Sequence, residues 1–167
     1  MIKFRLYYDK DKEEKFLNKM SQRGYELKNF FCGFFTFEKE EENGFTYRID
    51  HIGGKSAGEL EDYIEIIREA GAILVLRWGP WIILKKKGEF ELYTDQSSKI
   101  KLYTRIRNMF IYFLIIEVGC ACSQISSFLV NKNPIFIFFY TLILMIIVAF
   151  AIQVYKCNKK IKMLKNE

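Results

Sequence analysis

Histidine is nearly absent from this chain of 167 residues: His51 is the only one. A catalytic or structural metal centre draws on three or more donors, which one imidazole does not supply. No Ser or Cys stands at a motif spacing that would pair it with a nucleophile, so His51 reads as a surface or strand-end residue. A phosphate-binding loop is missing too, because Gly53-Gly54-Lys55-Ser56 lacks the first glycine at its required distance. The four cysteines, Cys32, Cys120, Cys122 and Cys157, match neither a disulfide framework nor a zinc spacing, and read as reduced thiols in structural or incidental roles. The opening stretch MIKFRLYYDKDKEEKF has no apolar segment, so no secretory signal is expected. Together these gaps leave no acid–base or nucleophile constellation, no metal and no cofactor, and the chain does not read as an enzyme.

Acid is scarce in one half only. Residues 1–100 carry 17 Lys and Arg against 18 Asp and Glu, whereas residues 101–167 carry 9 against 2. The formal charge of +6 is therefore no general nucleic-acid footprint, and no nucleic-acid partner is expected. The excess flanks two long apolar runs, Met109 to Val130 and Pro134 to Tyr155, each about long enough to span a bilayer. Only Asn131, Lys132 and Asn133 part them, which predicts a two-helix transmembrane hairpin. Lys99, Lys101, Arg105 and Arg107 precede it, and Lys156, Lys159, Lys160, Lys162 and Lys165 follow it, against Lys132 alone in the turn. That asymmetry predicts a multi-pass protein of the cell membrane with both termini cytoplasmic. The lipid bilayer is then its first partner.

Before the hairpin, period-2 and period-3.6 patterns alternate. IKFRLYY (2–8) reads as a strand and Lys12–Arg23 as a helix with Phe16, Leu17 and Met20 on its apolar stripe, ended by Gly24. YELKNFF and FFTFEKE read as a hairpin around Cys32-Gly33. The order then returns: FTYRIDH (45–51), a helix over Leu60–Ala70 with Tyr63, Ile64 and Ile67, Gly71, then AILVLRW and WIILKKK. Aligning Gly24 with Gly71 superposes Phe16 on Tyr63, Leu17 on Ile64, Met20 on Ile67, Leu27 on Leu74 and Phe31 on Trp78. Arg5 and Arg48 also pair, on the expectation of a longer strand–helix linker in the second copy.

The fold class expected is α+β: a cytoplasmic domain over 1–96 made of two tandem βαββ repeats, about 2–40 and 45–87, related by an approximate two-fold. FELYTD (90–95) is a candidate last strand. A juxtamembrane helix over 97–108 leads into the transmembrane hairpin at 109–155, and a basic cytoplasmic tail covers 156–167. No Gly or Pro interrupts Ser97 to Asn108, so that helix is expected to run straight into the first span.

The stretches DKDKEEKFLNKMSQRGYEL, FTFEKEEENGFTYRID, YIEIIREAG with RWGPW, and FELYTDQSSKIKLYTRI resemble a bacterial membrane-protein family known as domain of unknown function 2812. The resemblance covers about residues 1–107. It implies a membrane protein often encoded beside a PadR-type repressor and supplies no activity. The paired βαββ order is separately similar to the duplicated modules of GyrI-like small-molecule-binding domains, in topology only.

Three groups of residues stand out as candidates. Phe35, Tyr47, Trp78 and Trp81 are either core or the lining of a ligand cleft between the repeats. Glu117, with Cys120, Gln124 and Ser127, makes one polar face at helical spacing deep in the first span, either a structural hydrogen-bonding seam or a proton or ion site. Gly119 and Ser123 lie on a small-residue ridge suited to helix packing, including a homo-oligomer through the first transmembrane helix. Two functions are carried forward. One is a membrane-anchored module that senses a small molecule or protein, as an accessory to a PadR-regulated stress or transport system. The other is a small oligomeric membrane protein with its site at Glu117.

Overall fold

The computed structural model describes residues 1–6, 9–40, 44–130 and 134–166, without the side chains of 126–130. The turn at Asn131, Lys132 and Asn133 lies outside the described residues. The chain divides into two compact units, Met1–Thr94 and Asp95–Glu167.

The first unit is α+β. Strand β1 (Ile2–Phe4), helix α1 (Lys10–Gln22), β2 (Tyr25–Phe31) and β3 (Phe34–Lys39) are followed by β4 (Phe45–His51), α2 (Ala57–Glu69), β5 (Ile73–Trp78) and β6 (Trp81–Lys87). They form two antiparallel three-stranded sheets, ordered β1-β3-β2 and β4-β6-β5. Each helix starts on a side-chain cap: Asp9 accepts from the Lys12 amide, and Ser56 forms a capping box with Glu59. Each stops before a left-handed glycine, Gly24 at φ 80° and Gly71 at φ 79°.

The ladders repeat at a constant spacing of 47 residues. Ile2–Thr36, Lys3–Phe35 and Phe4–Phe34 in the first sheet reappear as Ile49–Ile83, Asp50–Ile82 and His51–Trp81 in the second. Leu27–Phe37 and Phe31–Phe34 likewise reappear as Leu74–Leu84 and Trp78–Trp81. Both outer ladders slip by one residue at the same place, between Leu27 and Asn29 and between Leu74 and Leu76. Five residues separate strand from helix in both halves, so the second linker is not longer, and Arg5 aligns with Ile52 rather than Arg48.

The two halves are not related by a two-fold. Phe16, Leu17 and Met20 of α1 share one core with Leu27, Phe35 and Phe37 of the first sheet and with Tyr47, Ile49 and Ile83 of the second. A second core sets Ile67 of α2 and Ala72 against Ile52, Ile82, Leu84 and Phe90. A two-fold would press α2 onto β1 as α1 presses onto β4, but Ile2, the counterpart of buried Ile49, is 67 % exposed. The order is head to tail: the helix face of the first half covers the far face of the second sheet.

Three polar side chains on α1 seal the free edge of β4. The Ile49 amide donates to Glu14 Oε1 (2.7 Å), and Asn18 both accepts from the Tyr47 amide (2.7 Å) and donates to its carbonyl (3.1 Å). Ser21 Oγ donates to the Phe45 carbonyl (2.7 Å). Spaced i, i+4, i+7, they replace the missing neighbour strand of an otherwise open edge.

FELYTD is not a strand. After β6 the chain is irregular until α3 (Gln96–Val130), which is helical without a break. In the second unit α3 packs antiparallel to α4 (Pro134–Asn166). Leu102, Ile106, Phe110 and Ala121 of α3 and Cys157, Ile161 and Leu164 of α4 are buried. Both helices are long and apolar enough to cross a membrane, and their apolar windows are almost wholly on the surface, unlike a soluble core helix.

Candidate functional site

An acid occurs once in β4, and it is completely buried. Asp50 points to the α2 side of the second sheet, opposite Ile82 in the ladder. A carboxylate there is costly unless donors surround it. Its Oδ2 accepts from the hydroxyls of Tyr63 on α2 (2.6 Å) and Tyr93 (2.9 Å), and its Oδ1 from the His51 amide (2.8 Å). Burial, then the adjacent Asp50 charge, pushes the Tyr63 phenol far above its ordinary range, so it stays a donor.

Tyr93 belongs to the segment that joins β6 to α3. The same segment buries Phe90 in the second core and places Glu91 on Arg48 (3.3 Å). The chain that enters α3 is therefore clasped to the domain at a buried carboxylate only three residues before the helix begins. Sequence reading passed over Asp50. The available signal was one acid among the strand formers of FTYRIDH.

Phe35 and Tyr47 are core residues, and the Tyr47 hydroxyl accepts from the Leu27 amide (3.1 Å). Trp78 and Trp81 face each other across the β5–β6 hairpin; Trp78 is exposed, while Trp81 is half-buried with its ring edge-on to His51. His51 ends its strand and is buried. Phe35 and Tyr47 belong to the first core and Trp81 packs against it, whereas Trp78 is not among its members. A depression of about 160 Å³, open to solvent, is bordered by Ser21, Gly24, Tyr25, Glu26, Glu40, Phe45 and Tyr47. Most of that space is open solvent, and the depression encloses no room even for a water molecule.

On its rim Glu26 holds Lys85 of the other sheet and Lys28 (2.9 Å). Burial raises its carboxyl, but the two ammonium groups outweigh that and hold it at about 2. Glu13, in the first turn of α1, goes the other way: burial, then the neighbouring Glu14 charge, raises it to about 7.

In the second unit Glu117 is half-buried, seven residues after Phe110 and four before Ala121, on the stripe that faces α4. Phe110 and Phe113 meet Phe150 (5.7 and 5.8 Å), and Arg107 reaches Asn158 (3.4 Å). Carried along both helices, that register sets Glu117 level with about Ile146. Glu117 has no hydrogen-bond or ion-pair partner among the described residues. Cys120, Gln124, Gly119 and Ser123 are exposed, and a Cβ added at Gly119 would meet nothing within 4 Å. The side chain of Ser127 lies outside the described residues.

No curated protein and no solved structure matches the chain. One family does, described as protein of unknown function (DUF2812), and its match runs over residues 9–115, from the cap of α1 through the second sheet and the Asp50 clasp into α3. The chain belongs to the DUF2812 family.

Proposed function

We propose that this is a membrane-anchored sensing protein whose first unit, in the cytoplasm, passes its state to a transmembrane hairpin. One observation carries the reading: the segment clasped by Asp50 through Tyr93 continues, after Thr94 and Asp95, into a helix that has no break before its apolar stretch. A small molecule or protein that alters packing around α2, Tyr63 or Phe90 then alters how α3 leaves the domain. We read the clasp as part of a binding module and not of an enzyme, since no acid–base or nucleophile set accompanies it among the described residues. The repeated ladders at a 47-residue spacing support descent of the two halves from one βαββ unit. The GyrI-like comparison and an accessory role beside a PadR-regulated stress or transport system are part of the same proposal.

Placement is tested by cysteine labelling of intact cells, in a chain whose native cysteines are replaced by serine. A cysteine at Asn133 should react with an impermeant maleimide, and one at Asn166 should react only after lysis. The reverse pattern would contradict it.

A second reading takes the hairpin as the working part, with Glu117 as a proton or ion site in a homo-oligomer. Glu117, without a partner among the described residues, and the exposed Gly119–Ser123 ridge favour it. Crosslinking through native Cys120 separates the two readings. Gly119→Ile should lower dimer yield, and Glu117→Leu should lower it less, since such polar contacts measure only about 0.6–2 kcal/mol. Equal yield in all three chains would remove the interface.

A further inference from the structure

The two halves differ in what roofs their helix-side faces. In the first half, the face made by α1, Leu27, Phe35 and Phe37 is closed by the second sheet, and Leu17 and Leu27 are fully buried. In the second half, the matching face of α2, Ile82 and Leu84 is closed by the segment after β6, which belongs to no strand or helix. Phe90 enters that core, Leu92 packs on it, and Tyr93 reaches Asp50. This roof is thinner. Leu74, the counterpart of Leu27 and the ladder neighbour of Leu84, is 39 % exposed, and Ile64, the counterpart of Leu17, is half-buried.

The polar groups beneath the roof are peculiar to this half. Asp50 stands where the first half has Lys3, and Tyr63 where it has the core ring of Phe16. An apolar pair would hold Phe90 better, because a buried carboxylate gives up its hydration. Asp50 is met by neutral donors of two origins. Tyr63 and the His51 amide belong to α2 and β4, whereas the Tyr93 hydroxyl belongs to the roof. If the roof lifts, the first two stay, and what opens is an apolar slot with a fixed carboxylate in its floor. Phe90 shows that the slot accepts an aromatic ring, and Tyr93 that a donor carried on a ring reaches Asp50 Oδ2 (2.9 Å). Among the roof's holds is the ion pair of Arg48 with exposed Glu91 (3.3 Å), a kind of contact that contributes little. An ammonium brings opposite charge as well as N–H donors, and such hydrogen bonds are about twice as strong as neutral ones. An amine carried on an aromatic ring therefore offers Asp50 more than Tyr93 does.

We propose that the slot beneath residues 90–93 is a binding site for a small aromatic amine, whose ammonium displaces the Tyr93 hydroxyl from Asp50 and whose ring takes the place of Phe90. The proposal rests on the reading of this domain as a binding module and names its ligand class. It is tested on the full chain in phosphatidylcholine nanodiscs, by equilibrium dialysis of labelled 2-phenylethylamine corrected for uptake by empty nanodiscs. Asp50→Asn keeps an acceptor for both phenols and should weaken binding by about tenfold or more. Tyr93→Phe removes the competing hydroxyl and should tighten binding by about tenfold, because apparent affinity rises with the population of the open form. A residue that only stabilised the fold would not have that effect. The uncharged 2-phenylethanol should bind far more weakly than the amine. Absence of saturable uptake, equal uptake by wild type and Asp50→Asn, no gain in Tyr93→Phe, or equal binding of the alcohol would each overturn the proposal. Hydrogen exchange separates the site from the relay into α3. Saturating amine should speed exchange of residues 89–95; if the effect stops there, the site stands and the relay falls. A Tyr93→Phe chain that loosens into α3 yet takes up no amine would keep the relay and remove the site.

Discussion

The two βαββ halves share a ladder register and differ in what their side chains do with it. Position 18 is Asn on α1, where it bonds the edge of β4, and its counterpart 47 residues on is Glu65. Ser21, bonded to the Phe45 carbonyl, corresponds to Arg68. Lys3, exposed on β1, corresponds to the buried Asp50. A common backbone has thus been given one half that holds its neighbour and one half that holds the linker to α3. The shared glycines, caps and stripes serve the fold, and the halves differ in the side chains that join distant segments.

The largest effect is expected where the halves differ most in burial. Leu17→Ala removes a fully buried side chain from the core shared by both sheets and should cost about 3 kcal/mol. Its counterpart Ile64 is only half-buried, so Ile64→Ala should cost about half as much; urea unfolding of both variants in mild detergent measures the gap. Equal losses would mean that the two helices carry equivalent cores.

Asp50→Ala comes next. It strips the acceptor from Tyr63 and Tyr93 and should lose about 2–3 kcal/mol, while Lys3→Ala at the matching position should stay within about 0.5 kcal/mol. Asn18→Ala uncouples the Tyr47 amide and carbonyl at the edge of β4 and should cost about 1–2 kcal/mol, against no measurable change for Glu65→Ala.

The smallest effect is a pH dependence confined to one half. Glu13, raised to about 7, has Leu60 as its counterpart. Below about 4.5 the carboxyl is protonated in folded and unfolded chains alike, so it has no effect on stability. Between about 4.5 and 7 the unfolded chain releases the proton first, and stability falls, by at most about 3 kcal/mol. Glu13→Gln should flatten that fall in thermal unfolding followed from pH 4.5 to 8. Glu26 has the opposite sign: held at about 2, it stabilises the fold above about 4.5, and that contribution fades as pH drops toward 2. An unchanged slope in Glu13→Gln would assign the fall to other groups.

Much of this was legible in the chain. Caps, glycine stops and apolar stripes are local signals, and they located both helices and all six strands, although β1 ends at Phe4 and residues 7–8 of its expected span lie outside the described residues; the apolar runs and their basic flanks located α3 and α4. Contacts that join distant segments were not legible. Glu14, Asn18 and Ser21 look like a solvated helix face until β4 is laid against them. FELYTD alternates like a strand, yet Tyr93 is taken by Asp50 and Phe90 by the second core. The two-fold was inferred from equal patterns, but equal patterns do not say which face meets which. Of the candidate residues, Phe35 and Tyr47 were given away by type and not by role, since core and cleft draw on the same aromatics.

The central claim is that the state of the first unit reaches α3 through the Asp50–Tyr93 clasp. Hydrogen exchange of the full chain in lipid nanodiscs, wild type against Tyr93→Phe, tests it most directly. Residues 89–104 should exchange faster in the variant while α1 and β3 stay unchanged, because only the hold on the linker is loosened. Faster exchange that stops at Asp95, with the first turns of α3 as protected as in wild type, would contradict the account.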